Sequence, residues 1–361
     1  MHNLGIKLVT SALKDIWIEL SQSCDHRCKN CFQATEKGVD KDPDNLKRKQ
    51  LLDVVNHSID LGVNEIGIPG AGEPFHPANR RLLLALLDNN FARGVHTTIF
   101  THAGFLNPEL IEKLESYKDK ITLLIKLNTF DPKQQDWFDD VTGYGKKRNE
   151  ILGTLIGQRF NDGQRLGIVT SVMNFNFNQL PEIFRWCRTH NIVIDIDPIL
   201  TRGRGINNPF SVSGEHLLKL YQMLSRIDAV EFDKHWEPTS NYVGALSCDR
   251  YRHHLYVTKT GIVHPCVGST GIILGSVREK SLEEMWDSPE MRIIRERKHT
   301  GKCTECGLYV ERKCNPCLGR YTENLTNEGL LRNGSVATVG CWAFKKRTKP
   351  SKKSLKRILT K

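Results

Sequence analysis

Three cysteines stand within eight residues, in the order Ser23-Cys24-Asp25-His26-Arg27-Cys28-Lys29-Asn30-Cys31, a C-x3-C-x2-C spacing. Thiolates are soft ligands, and three on one loop can hold three corners of a metal centre. A closed structural zinc site takes four ligands, and each iron of a cubane cluster also wants one. No fourth cysteine lies nearby. With three protein thiolates, one iron of a cubane stays free to bind something else. The competing reading makes His26 the fourth ligand of a zinc knuckle.

Two other stretches carry chemistry. In Pro69-Gly70-Ala71-Gly72-Glu73-Pro74 the glycines allow close backbone approach to a ligand, and a backbone carbonyl and the Glu73 carboxylate can accept bonds from an ammonium group. Taken alone, the stretch is also explained as a tight turn. Toward the C-terminus come seven more cysteines: Cys248, Cys266, Cys303, Cys306, Cys314, Cys317 and Cys341. Seven thiols make a four-ligand site plus a three-ligand site, or one metal site with spares. The two C-x2-C pairs among them would by themselves also suit a zinc ribbon. The eleventh, Cys187, shares a helical face with Leu180, Ile183 and Phe184 and reads as core packing.

The elements that must position these groups alternate. Apolar-rich runs at residues 16–20, 65–68, 96–101, 121–127, 166–172 and 192–196 predict six strands. Amphipathic or helix-rich stretches near 51–61, 80–91, 108–117, 146–160 and 180–190 predict helices between them. Asn107 is the expected N-cap of the third helix, and Gly62 the stop of the first. This alternation predicts an α/β fold with a parallel sheet and right-handed crossovers, best described as a partial (β/α)6 barrel with a smaller cysteine-rich C-terminal domain. Ligand sites in such folds lie at the carboxyl ends of the strands, where every unusual segment falls. Beyond a linker and one helix, residues 256–257, 261–263 and 272–274 suggest a hairpin and a further strand. Ser281 and Glu284 form a capping box. The expected divisions are 16–204, 205–240, 241–342 and a basic tail at 345–361.

The cysteine spacing at the first strand–helix turn, followed one unit later by the glycine-rich stretch, resembles the radical S-adenosylmethionine (radical SAM) superfamily. In that family the free iron of a [4Fe–4S] cluster is chelated by the methionine moiety of S-adenosylmethionine. Reductive cleavage then gives a 5′-deoxyadenosyl radical that takes a hydrogen atom from substrate. The resemblance implies that Cys24, Cys28 and Cys31 hold the cluster. It also implies that Gly70, Gly72 and Glu73 receive the methionine ammonium, and that Asn128 and Ser171 bond the ribose and carboxylate of the cofactor. Ala71 replaces a family glycine. Asn30 stands where an aromatic residue usually contacts adenine, and Phe32 is expected to serve instead. Asn174, Lys126, Arg202 and Arg204 are further polar residues placed to meet cofactor or substrate.

The C-terminal cysteines resemble the SPASM domain, which carries auxiliary iron–sulfur clusters, with two internal spacings altered. Carried over, Cys303, Cys306, Cys314 and Cys341 bind one auxiliary cluster. Cys248, Cys266 and Cys317 bind another, with an open or non-cysteine position, nearest the barrel mouth. The implied activity is hydrogen abstraction from a peptide or amino-sugar-like substrate, giving oxidation, crosslinking or epimerisation. An external electron donor such as flavodoxin or ferredoxin is expected. The alternative is a basic zinc-binding module contacting nucleic acid, for which the barrel would be superfluous.

Composition narrows the setting. The net charge is +11, but nine Lys/Arg and no acid fall in residues 345–361, leaving eleven less nine, or +2, for the rest. Nucleic acid is therefore not the expected partner of the body. No run of about 18 apolar residues predicts a membrane span. The first 20 residues, with Lys7, Lys14, Asp15 and Glu19, do not read as a signal peptide. Eleven cysteines without an export signal favour metal ligation in a reducing cytoplasm over disulfides.

Overall fold

The computed structural model describes residues 12–238, 248–320, 322 and 325–345. The expectations for residues 1–11 and for the tail beyond Lys345 lie outside them.

The chain runs β1 (Asp15–Ile18), α1 (Arg48–Asp60), β2 (Glu65–Ile68), α2 (Pro77–Ala92), β3 (His96–Thr101), α3 (Pro108–Glu115), β4 (Ile121–Lys126), α4 (Pro132–Asp139), α5 (Tyr144–Gly157), β5 (Leu166–Val172), α6 (Leu180–Thr189) and β6 (Val193–Pro198). Helix α7 (Gly214–Glu231) leads to the C-terminal region. That region holds β7 (His254–Val257), β8 (Ile262–His264), β9 (Gly275–Ser276), α8 (Leu282–Trp286), α9 (Pro289–Arg295), β10 (His299–Gly301), α10 (Gly307–Val310), α11 (Asn327–Asn333) and β11 (Val336–Thr338).

Strands β1 to β6 pair in parallel in sequence order. β1, β2, β4 and β5 are mostly buried on both faces and read as apolar runs, whereas β3 and β6 alternate buried with more exposed residues. The free edge of β1 takes β7, also in parallel, with Asp15 beside His254 and Ile18 beside Val257. The antiparallel β8 and β9 extend the sheet to nine strands. β6 and β9 are its two ends, so hydrogen bonding among the described residues does not close a barrel. One continuous apolar core runs from Leu13 through both halves to Val336.

Local signals hold in several places. The Asn107 side chain caps α3 at Leu110 N, Ser281 and Glu284 form the capping box of α8, and Cys187 is fully buried. Helix α4 is an addition. The strand expected at residues 272–274 is displaced to Gly275–Ser276. Ile272 and Leu274 are buried, but the N–H and C=O of Ile273 bond the side chain of Asn327 instead of a strand.

Candidate active site

The parallel strands surround a cavity of about 310 Å³. Cys24, Cys28 and Cys31 line it from the loop after β1. Phe32, Gly70, Gly72, Glu73, Asn128 and Ser171 also line it. Asn174 does not. Its N–H and side chain bond Phe210 O and Pro209 O outside the cavity.

The cysteine loop has little regular structure and is held by its surroundings. Arg27 N and Lys29 N donate to the carbonyls of Asp139 and Phe138 at the end of α4, at 3.0 and 3.1 Å. Arg204 reaches in from the loop after β6. Its Nε donates to Cys28 O at 2.8 Å, its Nη2 to Thr35 O at 2.6 Å, and its Nη1 pairs with Glu36 at 3.0 Å. Asn208 Nδ2 donates to Lys29 O. Arg202 donates to Gln33 Oε1 and Val267 O, with its guanidinium 5.8 Å from the Phe32 ring centre. Arg202 and Arg204 were expected to meet cofactor or substrate; instead their donors are spent on loop carbonyls and loop side chains.

The two glycines after β2 are required by the chain itself. Gly70 has φ +67°, and a Cβ there would stand 2.9 Å from Phe100 O. A Cβ on Gly72 would stand 2.7 Å from Gln22 C and Ser21 O, on the segment that leads into the cysteine loop. Absence of a side chain thus lets the two motif loops pack together. Glu73, buried, accepts from Phe75 N (3.0 Å), Thr101 Oγ1 (2.6 Å) and His102 N (3.0 Å). Three of about four carboxylate lone-pair positions are therefore used, tying β2 to β3. His102 Nε2 lies 2.9 Å from Asp25 Oδ1 and stacks on His26 at 3.8 Å. Burial opposes charge on His102, but Glu73 and Asp25 outweigh it and hold its pKa up at about 10. His26, buried beside that cation, is pushed down to about 3.

Asn30 joins the loop to β5, its Nδ2 donating to Ser171 Oγ at 2.9 Å, and its Oδ1 accepts from Lys126 Nζ at 3.4 Å. Lys126 also pairs with the buried Asp139 at 3.3 Å. Burial works against the lysine charge, yet Asp139 and Cys28 leave its pKa raised. Asn128 is fully buried. Its Oδ1 accepts from Ser171 N, and its Nδ2 has no partner among the described residues.

The seven C-terminal cysteines separate into two groups. Cys248, Cys266 and Cys317 line the same cavity as the first three. Burial pushes the Cys248 thiol up to about 12; Arg250 opposes this, while Cys266 and Cys317 add to it. Cys303, Cys306, Cys314 and Cys341 instead surround a separate, small pocket of about 10 Å³ with Leu308, Tyr309 and Phe344. Burial pushes Cys341 up to about 12, with the other three thiols contributing. Lys345 N donates to Cys306 Sγ at 3.4 Å, and Lys345 O accepts from Gly307 N at 2.8 Å. Lys345 is thus part of this site, not of a tail.

Residues 18–186 match the radical SAM superfamily model, and residues 248–307 match the SPASM iron–sulfur cluster-binding domain. The chain is a radical SAM enzyme with a SPASM domain. Its cofactors are accordingly a [4Fe–4S] cluster, S-adenosylmethionine and auxiliary iron–sulfur clusters. Among solved structures it is similar to SuiB of Streptococcus suis bound to S-adenosylmethionine, with TM-score 0.64 and 21% identity over 83% of this chain and 72% of SuiB. SuiB bound to its precursor peptide SuiA gives 0.60 and 21%, over 83% and 70%. The enzyme anSMEcpe with bound AdoMet and Cp18Cys peptide gives 0.59 and 12%, over 87% and 92%. At these identities the likeness is one of fold. No curated protein matches the chain in sequence.

The donor sets of this radical SAM enzyme suit such clusters. None of the eleven cysteines is paired in a disulfide. Burial raises the pKa of the Cys28, Cys248, Cys266, Cys303 and Cys341 thiols, and a bound metal cation is what favours their thiolates. Backbone N–H groups already point at Cys24 Sγ and Cys306 Sγ, the kind of contact that stabilises charged sulfur. Asp139, Asn30 and the two arginine clamps carry the architecture of the site. Of these, only the arginines and Asn30 had been singled out, for other roles. Asp131-Pro132, an N-cap followed by proline, is the sequence signal that could have revealed α4 and with it Asp139.

Proposed function

We propose that this enzyme abstracts a hydrogen atom from a peptide held in the central cavity, giving oxidation, crosslinking or epimerisation. The observation that carries the reading is that two cysteine trios face one cavity while the quartet lies apart. Cys24, Cys28 and Cys31 hold the [4Fe–4S] cluster. Gly70, Gly72, Glu73, Asn128, Ser171 and Phe32, which line the same cavity, would hold S-adenosylmethionine. Together these cofactors supply one-electron cleavage of the sulfonium and a radical able to take hydrogen.

The chain's own residues do the positioning. Arg204 and the α4 carbonyls fix the loop. Glu73 holds the turn at residues 70–74 against β3. The unpartnered Asn128 Nδ2 offers a donor to the cofactor. Cys303, Cys306, Cys314 and Cys341 hold a closed auxiliary cluster. Cys248, Cys266 and Cys317 hold a second one at the substrate end, a suitable electron acceptor. A peptide is favoured over an amino-sugar-like molecule because SuiB and anSMEcpe are both recorded with peptides. An external donor such as flavodoxin or ferredoxin supplies the electron, and eleven free thiols favour a reducing cytoplasm. Among the described residues no helix is long and apolar enough to cross a membrane.

The test is anaerobic incubation of the reduced, reconstituted protein with S-adenosylmethionine and a peptide library. Formation of 5′-deoxyadenosine together with a mass change in a peptide is expected. If 5′-deoxyadenosine never forms, the assignment of the cavity is wrong.

A further inference from the structure

We propose that Asp195 and Asp197 form an anionic subsite that receives a protonated amine or guanidinium of the substrate. The inference rests on the reading of the central cavity as the substrate site.

Strand alternation puts both residues on one side of β6, where they line the cavity. Their strand partners are Val169 and Ser171, so the pair lies across from the Asn30–Ser171 contact. Arg320 Nη2 reaches Asp197 Oδ2 at 3.2 Å and Pro198 O at 2.9 Å. That contact accounts for one carboxylate oxygen of the four. Asp195 Oδ1 and Asp197 Oδ1 are both buried with no partner among the described residues. Arg250 and Arg320 line the same cavity and attract Asp195, and Arg250 also lies 4.2 Å above the Trp17 ring and 4.0 Å from Asp15.

A structural role in docking the SPASM domain would need Asp197 alone. It leaves the second acid unexplained. Burying a carboxylate without a partner is costly. Burial and the neighbouring Asp197 raise the Asp195 pKa to about 7, against the pull of Arg250 and Arg320. A ligand that brings a positive charge and several N–H donors satisfies both oxygens and relieves the repulsion, whereas a neutral hydroxyl satisfies only the hydrogen bonding. The rest of the wall includes Trp17, Phe100, Val169 and Leu200. Apolar walls with an acidic pair suit an aliphatic stem ending in a cation, as in a lysine or arginine side chain.

The full-length protein, with clusters reconstituted and S-adenosylmethionine bound, is titrated anaerobically by calorimetry with Nα-acetyl-lysinamide, Nα-acetyl-argininamide and neutral Nα-acetyl-norleucinamide. One of the two cations should bind about tenfold or more tightly than the norleucine compound, the worth of a charge-assisted hydrogen bond. Asp195→Asn should remove that preference. Asp197→Asn, which keeps an oxygen for Arg320, should reduce it. Equal binding of cationic and neutral probes by the wild type, or a preference that survives in Asp195→Asn, overturns the proposal. Formation of 5′-deoxyadenosine by the wild type is scored separately. Its absence removes the reading of the cavity, and its presence without cation preference removes only the acidic subsite.

Discussion

The cysteine loop after β1 and the quartet near the C-terminus solve the placement of thiols in opposite ways. Cys24, Cys28 and Cys31 come from eight residues and face about 310 Å³ of space. Cys303, Cys306, Cys314 and Cys341 come from four separated points and leave about 10 Å³ among them. The loop is held from outside by Arg204, Asn208 and the end of α4. The quartet sits among short elements whose own buried contacts are few, chiefly Leu308 and Ala343. An open site must borrow its rigidity from a barrel, whereas a closed one can supply rigidity to its surroundings through the metal. The Cys248–Cys266–Cys317 trio belongs with the open kind.

The largest expected effect is at the open site. Replacing Cys24, Cys28 and Cys31 together by alanine should bring 5′-deoxyadenosine formation below detection while iron and sulfide remain in the C-terminal region. Continued cleavage in the triple variant would break the distinction. At the closed site, Cys314→Ala should remove one cluster's iron and lower the thermal midpoint by more than about 5 °C, since a metal ligand there supports folding. Cys248→Ala sharpens the contrast, with iron and oxidised product expected to fall together and a smaller shift in the melting curve. Unchanged iron with deuterium exchanged into the substrate would instead make Cys248 a hydrogen-atom donor.

Smaller effects test where rigidity comes from. Arg204→Ala removes the guanidinium donors to the Cys28 and Thr35 carbonyls, leaving Cys28 O only the Cys31 N–H at 3.3 Å, and should cost roughly 1.5–3 kcal/mol in denaturant unfolding. Slower cofactor cleavage should accompany it. An unchanged rate would mean that α4 alone fixes the loop. Deleting residues 346–361 should change neither cluster content nor cleavage. Removing Lys345 as well deletes the acceptor of Gly307 N and the donor to Cys306 Sγ, and should lower iron retention at the quartet.

Much of this was legible in the chain. Four of the six strands, β1, β2, β4 and β5, are mostly buried on both faces and announce themselves as apolar runs, β3 and β6 alternate, and the cysteine and glycine motifs fall after β1 and β2. Helix α4 escaped because Pro-Lys-Gln-Gln-Asp-Trp-Phe-Asp is short and mostly polar, with only two of its side chains, Gln135 and Phe138, fully buried besides Asp139. The acids of β6 were hidden inside an apolar run whose inward face is the polar one. Arg202 and Arg204 were read as ligand contacts because their type is legible and their targets are not: for Arg204 the carbonyls of Cys28 and Thr35, some 170 residues earlier, and for Arg202 the Gln33 side chain and the later Val267 carbonyl. The same holds for the glycines: a need for small size is visible in sequence, but not that the neighbour is the protein's own Ser21–Gln22 backbone.

The pairing of β1 with β7 has a consequence for how the molecule is made. During translation, β1 emerges early and finds β2, yet its other edge waits for residues 254–257, about 240 positions later. At common elongation rates that delay is roughly 10–50 s. For that interval an apolar strand shows an unpaired row of N–H and C=O groups, a template for sticking to other chains. The nascent protein should therefore depend on chaperone shielding until its last third is synthesised. Cluster insertion into the cavity would follow, because the wall that carries Cys248 and Cys266 exists only after that late strand has docked.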